Sequence, residues 1–107
     1  MYDLSILDEA KEELRCEIGF SREKWSETHC EKYAKELQEQ IRVLRKNPRL
    51  YPLRNDILLN IRIKTFKGNQ IVYIIQENLK RVVVLAVLSR YQQPSQLEPR
   101  LEKVPSQ

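Results

Sequence analysis

The spacing of apolar residues changes halfway along the chain, and this change is what most limits the possible folds. Up to Pro48 the apolar residues recur every three or four positions, as they do on one face of a helix. From Ile57 to Ile63 they alternate with mostly polar ones, which predicts a half-buried strand. Residues 82–88 are all apolar, which is typical of a central strand covered on both faces. A helical first half and a β-rich second half, within 107 residues, predict a single α+β domain.

Two helices are predicted in the first half, after a short strand over residues 2–7. Asp8 is suited to cap the first helix and Gly19 to end it. The second helix is predicted from about residue 22 to 46, because the residue before Pro48 disfavours the helical conformation. The apolar stripe of this long helix consists of Trp25, His29, Tyr33, Leu37, Ile41 and Leu44. With one short turn between them, the two helices form an antiparallel hairpin.

Three further strands follow, at about residues 57–64, 70–76 and 81–88, joined by tight turns. We therefore predict a helical hairpin packed on one face of a mainly antiparallel four-stranded sheet, with Arg62, Lys64 and Arg90 near water on the other face. Residues 1–91 are predicted to form the domain. Residues 92–107 are predicted to be a poorly ordered tail with two apolar anchors, Leu97 and Leu101. Disorder and ordering by a partner are both open for this tail.

The charge is divided unevenly along the chain. Residues 1–40 carry 6 Lys or Arg and 11 Asp or Glu, whereas residues 41–107 carry 13 and 4. The two segments therefore have balances of −5 and +9, which together give the net charge of +4. A basic segment of this kind favours an acidic or polyanionic partner, since clustered cations gain affinity from it. Ordinary solubility is the alternative explanation.

Membrane, metal and cofactor sites are not predicted. The apolar run at residues 82–88 is far too short to span a bilayer, and the N-terminus has no basic region typical of a signal peptide. We expect a cytoplasmic protein. Cys16, His29 and Cys30 lack the spacing of zinc ligands, and a single histidine on a helix stripe is typical of packing.

Three motifs occur in a fixed order between Leu4 and Arg90. Leu44 followed by Asn47-Pro48 closes the long helix, and Phe66, Gly68 and Ile71-Val72-Tyr73 span the next turn. The apolar run 82–88 then leads into Ser89-Arg90. In this order and spacing, the chain resembles the ParE/RelE superfamily of toxins from type II toxin–antitoxin systems.

The resemblance implies one of two activities. ParE-like toxins poison DNA gyrase by binding and are not known as enzymes, whereas RelE-like toxins enter the ribosome and cut messenger RNA. Both are neutralised by a cognate antitoxin. A third interpretation is that the chain has lost its toxicity and still binds an antitoxin.

Candidate catalytic residues follow from the chemistry of RNA cleavage. Attack by the 2′-hydroxyl requires a base, an acid and cations near the phosphate. The candidates are Arg62, Lys64, Lys67, Arg90 and Tyr91. The RelE branch typically places an arginine where this chain has Gln70, and a tyrosine further beyond the last strand, where this chain has only Gln and Ser. These departures favour the ParE-like interpretation, in which the chain is not an enzyme.

A second set of residues is predicted to bind partners. The end of the long helix and the loop after it carry several cations, which suit an acidic antitoxin segment or nucleic acid. A solvated helix C-terminus, favoured by the helix dipole, is the alternative. The predicted antitoxin surface lies on the sheet edge and the long helix. Its residues are Arg42, Arg45, Arg49, Arg54, Leu58 and Tyr73.

Overall fold

The computed structural model describes residues 1–14, 27–89 and 91–104, and it has the α+β architecture expected from the sequence. The strands are β1 (Asp3–Ile6), β2 (Arg62–Phe66), β3 (Asn69–Gln76) and β4 (Arg81–Ser89). Helix α1 covers residues 8–14 up to the edge of the described part, α2 is Glu27–Lys46, and α3 is the short Glu98–Leu101. Helix α2 ends before Asn47-Pro48, as predicted.

The strands form one sheet in the order β1-β4-β3-β2, in which β1 runs parallel to β4 and the other pairs are antiparallel. Lys67 and Gly68 join β2 to β3, and both have positive φ angles, of 47° and 83°. This is the two-residue geometry that matches the twist of the flanking strands. A 3-10 turn at Glu77–Leu79 joins β3 to β4 and ends at Lys80, which is also left-handed.

The helices cover one face of the sheet. Ala10 of α1 is buried there, together with a stripe of α2 that meets alternate residues of β3 and β4. The buried residues of this stripe are Tyr33, Leu37, Ile41 and Leu44, as the helical spacing predicts. The remainder of the predicted hairpin, including Gly19 and Trp25, lies outside the described residues, as do the side chains of His29 and Cys30.

The opposite face of the sheet is also apolar. Val72, Val83 and Leu85 lie on it, and the C-terminal segment covers them with Leu97, which is buried, and with Leu101 and Val104. Both predicted anchors of the tail therefore contact the sheet. A 3-10 turn at Pro94–Leu97 and helix α3 bring them there.

The placement of Arg62 and Lys64 near water on this second face was wrong. Arg62 pairs across the ladder with Tyr73, and Lys64 pairs with Ile71. Residues opposite each other on neighbouring strands share a face, and Tyr73 and Ile71 belong to the core under the helices. Lys64 is only 8% exposed. Alternation gave the two faces of the strand but could not show which face the helices cover.

The predicted start of β2 was also wrong. Residues 55–60 form turns, and β2 begins at Arg62, five residues after Ile57. Asn60 has a φ of 67°, and its backbone N–H donates to Asn55 Oδ1 at 2.7 Å. Asparagine tolerates this left-handed conformation, which a strand cannot contain. Leu59, assigned to the buried face by alternation, is consequently 70% exposed.

None of the helices in the described part of the chain is both long and apolar enough to cross a membrane.

Candidate functional site

Four arginines follow the chain from the end of α2 into the next loop, and each has a partner within the fold. Arg42 faces Glu39 one helical turn away, and Arg45 donates from Nε to the carbonyl of Tyr2 at 3.0 Å. Arg49 donates to the Tyr2 hydroxyl at 2.8 Å and also pairs with Glu77. The fourth, Arg54, makes a two-contact pair with Asp56, with both distances 3.1 Å.

The contacts of Arg49 and of Arg54 shift pKa values. The hydrogen bonds of Arg49 to Tyr2 and Glu77 raise the pKa of its guanidinium. The hydrogen bond with Asp56 likewise raises the pKa of Arg54 and lowers the pKa of the Asp56 carboxyl. The surface is therefore a set of exposed ion pairs with an excess of cations, and an acidic segment can bind it by exchanging partners.

Leu58 and Tyr73, the last two predicted partner residues, are at least half-buried. Leu58 is half-buried against the second face of the sheet. Tyr73 is fully buried, and its hydroxyl donates to the carbonyl of Pro48 at 2.7 Å. Burial raises the pKa of the Tyr73 phenol to about 12. In this conformation Tyr73 joins β3 to the loop after α2 and belongs to the core.

Two of the predicted catalytic cations, both on β2, donate hydrogen bonds to Tyr51. The ammonium of Lys64 donates to the Tyr51 hydroxyl, and the guanidinium of Arg62 donates to the Tyr51 carbonyl. The Lys64 nitrogen also lies 4.5 Å from the centre of the Tyr51 ring, within the range of a cation–π contact. Sequence reasoning missed Tyr51, since nothing in its loop distinguishes it from other aromatic residues.

The remaining catalytic candidates do not join this group in the described part of the chain. Tyr91 follows β4 and is 77% exposed. Phe66 pairs with Asn69, which in turn pairs with Ser89 at the end of β4. Arg62 lies four residues before Phe66 on β2, so about 13 Å of strand separates Arg62 from the end of β4. Lys67 lies beyond β2, where it pairs with Glu36 of α2. Arg90 lies outside the described residues.

Gln70 has a structural role at the end of β3. Its side-chain amide donates to the carbonyls of Ser89 and Gln92, at 3.0 and 3.3 Å. The Gln92 side chain accepts in turn from the backbone N–H of Ser89 at 2.8 Å. These amide contacts fasten the exit from β4 to β3. The sequence identified Gln70 as a departure from the RelE pattern but gave no signal for these contacts.

No group of three or more His, Cys, Asp or Glu side chains within residues 1–14, 27–89 and 91–104 is arranged to hold a metal ion.

One comparison with known proteins identifies a family of toxins. Residues 4–94 match the family model of the ParE toxin of the type II toxin–antitoxin system parDE. No curated protein matches significantly. A chain of the intact E. coli RelBE toxin–antitoxin complex matches with a TM-score of 0.56 and 22% identity, covering 86% of this chain and all of that one.

The isolated E. coli RelE toxin also matches with a TM-score of 0.56, at 20% identity, over 98% of this chain and all of that one. At this level of identity, the likeness to the solved structures establishes a shared fold.

Proposed function

The chain belongs to the ParE toxin family of type II toxin–antitoxin systems, and from that premise we propose that it arrests growth by binding DNA gyrase and that a cognate antitoxin neutralises it. The proposed action is binding, with no reaction catalysed by the toxin itself. The antitoxin covers the toxin until it is removed.

The observation that carries the proposal is the role of Gln70. An arginine at this position supplies the RelE branch with a cation for the phosphate, according to the resemblance described above. Here the side chain is a neutral amide whose donors are engaged by the backbone carbonyls of Ser89 and Gln92. It therefore offers no charge to stabilise a developing phosphate dianion.

The environment of Lys64 also supports binding over cleavage. A catalytic cation must reach the scissile phosphate, within about 3 Å. Lys64 is only 8% exposed, and its ammonium donates to Tyr51. Its position favours a role in the packing between β2 and the loop after α2.

Supercoiling by gyrase tests the proposal. Purified toxin in excess should inhibit supercoiling of relaxed plasmid and should increase the amount of cleaved DNA trapped with gyrase. Toxin first mixed with the protein encoded by the adjacent reading frame should leave supercoiling unchanged. Active gyrase that keeps its full rate in excess toxin, combined with normal growth on expression, would contradict the proposal.

A RelE-like endonuclease is the second candidate, because both solved structures described above contain RelE-type folds and β2 carries Arg62 and Lys64. Toeprinting on translating ribosomes distinguishes the two activities. New cleavage in the A-site codon would support the nuclease, and intact messenger RNA would exclude it. Growth arrest by either route excludes a relic that has lost toxicity.

A further inference from the structure

A cleft opens where β2 begins. Arg62 is the first residue of β2 and pairs with Tyr73, so Ile74 and Ile75 of β3 lie beyond the β2 ladder. Had β2 started earlier in the same register, Ile61 and Asn60 would lie opposite them. The chain instead turns at Asn60, and it leaves a cavity of about 310 Å³. The cavity is lined by Leu53, Asn60, Arg62, Ile74, Ile75 and Glu77, and we call it the Leu53 cleft.

The loop beside the Leu53 cleft exposes apolar side chains. Leu53 is 45% exposed, and Leu59, next to the lining residue Asn60, is 70% exposed. Leu50, in the same loop but outside the cleft lining, is 61% exposed. Apolar side chains clustered in one exposed loop indicate an interaction surface more strongly than the same residues scattered singly.

Arg62 and Glu77 are the charged residues that line the Leu53 cleft, and Glu77 is paired with Arg49. Among the described residues, no carboxylate pairs with Arg62, whose guanidinium donates one hydrogen bond to a backbone carbonyl and retains donors for a further acceptor. An arginine in a partly apolar cleft suits a carboxylate, which it can bind through two parallel hydrogen bonds.

We propose that the Leu53 cleft docks an extended segment of the antitoxin in which apolar and acidic residues alternate. The apolar side chains contact Leu53 and Ile74, and a carboxylate pairs with Arg62. This inference rests on the proposed antitoxin partnership, and it adds the place and the chemistry of the contact. Alternation follows from the extended conformation, since successive side chains of a strand point to opposite faces.

Two exposed leucines provide a matched test. Leu53→Glu places a carboxylate at the cleft, where it repels an acidic segment and removes apolar contact. Leu50→Glu makes the same change of charge in the same loop, away from the cleft. Calorimetric titration with the protein encoded by the adjacent reading frame should show affinity at least about tenfold weaker for Leu53→Glu and within about twofold of wild type for Leu50→Glu. Circular dichroism checks that both variants are folded.

Equal affinity for wild type and Leu53→Glu would overturn the proposal, and so would an equal loss in both variants, which would indicate a general effect of charge. No binding of that protein by wild type would contradict the partnership itself. Neither result involves gyrase, so a failure here is separate from a failure to inhibit supercoiling.

A second measurement examines the cleft directly. A short blocked peptide of alternating leucine and glutamate is titrated into ¹⁵N-labelled toxin, with a leucine–lysine peptide as the control. We expect amide shifts centred on Ile74, Ile75 and Arg62 with the acidic peptide alone. Shifts elsewhere, or equal shifts with both peptides, would overturn the proposal. The proposal would also be overturned if the peptide bound at the cleft but Leu53→Glu kept the wild-type affinity for the antitoxin. The cleft would then belong to another partner.

Discussion

Glu13 and Arg100, 87 residues apart in sequence, form a two-contact ion pair across the end of the sheet, with distances of 2.8 and 3.0 Å. The pair also bonds to the backbone of β4. Arg100 donates to the carbonyl of Leu85 at 3.0 Å, and Glu13 accepts from the N–H of Val87 at 3.0 Å.

The Glu13–Arg100 pair bonds to a part of β4 that lies beyond its ladder with β1. The ladder between β1 and β4 ends at Ile6 and Val84, so no strand among the described residues lies beside the later part of β4 on that side. An open edge of this kind exposes backbone donors and acceptors, which proteins commonly cover. Here one carboxylate and one guanidinium bond to β4 and hold α1 and the C-terminal segment against it.

Replacing Arg100 with methionine should therefore be costly. Arg100→Met keeps much of the apolar stem but removes the charged donor of the Glu13 carboxylate and the side-chain donor of the Leu85 carbonyl. Both side chains of the pair are only about one fifth exposed. We expect the free energy of unfolding to fall by about 2–3 kcal/mol, measured by urea denaturation with circular dichroism.

Lys103→Met is the matched control for Arg100→Met, because it breaks the neighbouring pair with Glu9, which is far more exposed. Exposed pairs contribute little to stability, so the free energy of unfolding of this variant should equal that of wild type. Equal loss in the two variants would show that the contacts of Arg100 with β4 do not stabilise the fold.

The phenol of Tyr73 should make the protein sensitive to alkali. Its pKa is raised to about 12 in the folded protein, because burial disfavours the charged form, whereas the unfolded chain has the ordinary value near 10. The stabilisation is complete below pH 10 and is lost as the pH rises through 12, because only the unfolded state ionises easily in this interval.

Tyr73→Phe isolates that contribution. The variant loses the hydrogen bond to Pro48, so at pH 7 its unfolding free energy should be lower by about 1 kcal/mol. Between pH 10 and 12 its stability should fall less steeply than that of wild type. Ultraviolet titration of the five tyrosines should also lose its latest component. A late component that persists in Tyr73→Phe would assign it to another residue.

Lys80 offers a change of opposite sign. It ends the 3-10 turn before β4 with φ 46° and is exposed. A residue with a Cβ atom pays about 1 kcal/mol for the left-handed conformation, which glycine adopts freely. Lys80→Gly should raise the unfolding free energy by about 0.5–1 kcal/mol. Lys80→Ala keeps the Cβ atom and should not, so a gain in both variants would exclude the backbone as its cause.

Regular periodicity made most of the fold predictable. The stripe from Tyr33 to Leu44 has helical spacing, and these four side chains are buried as expected. Local backbone preferences mark the end of α2 at Asn47-Pro48 and the end of β2 at the Lys67-Gly68 turn. Such features depend on residues close together in sequence, so one chain suffices to find them.

The errors concern contacts that the spacing of apolar residues does not encode. The alternation from Ile57 to Ile61 is that of a strand, but the Asn55 side chain holds Asn60 in a turn. Whether the helices or the C-terminal segment cover a given face depends on tertiary packing, so the burial of Lys64 was missed. The contact of Tyr51 with Lys64 spans 13 residues, and that of Glu13 with Arg100 spans 87. No spacing rule applies over such separations.

Lys64 separates the two proposed activities most directly. Lys64→Met removes the ammonium of this largely buried residue and keeps a side chain of similar length. Replacing a charge in such a place with an apolar group is often neutral or stabilising. Tyr51 is only half-buried, so water can replace the lost donor to its hydroxyl. We expect growth arrest and gyrase inhibition to be retained, with unfolding free energy unchanged or raised by about 1 kcal/mol.

Tyr51→Phe is the converse change, because it leaves the Lys64 ammonium without the hydroxyl that accepts from it. That variant should lose about 0.5–1.5 kcal/mol of unfolding free energy, the usual net contribution of one hydrogen bond. A Lys64→Met protein that is stable but no longer arrests growth would contradict the gyrase-binding interpretation. It would then give Lys64 a role in catalysis, which toeprinting on ribosomes would detect as A-site cleavage by wild type and none by the variant.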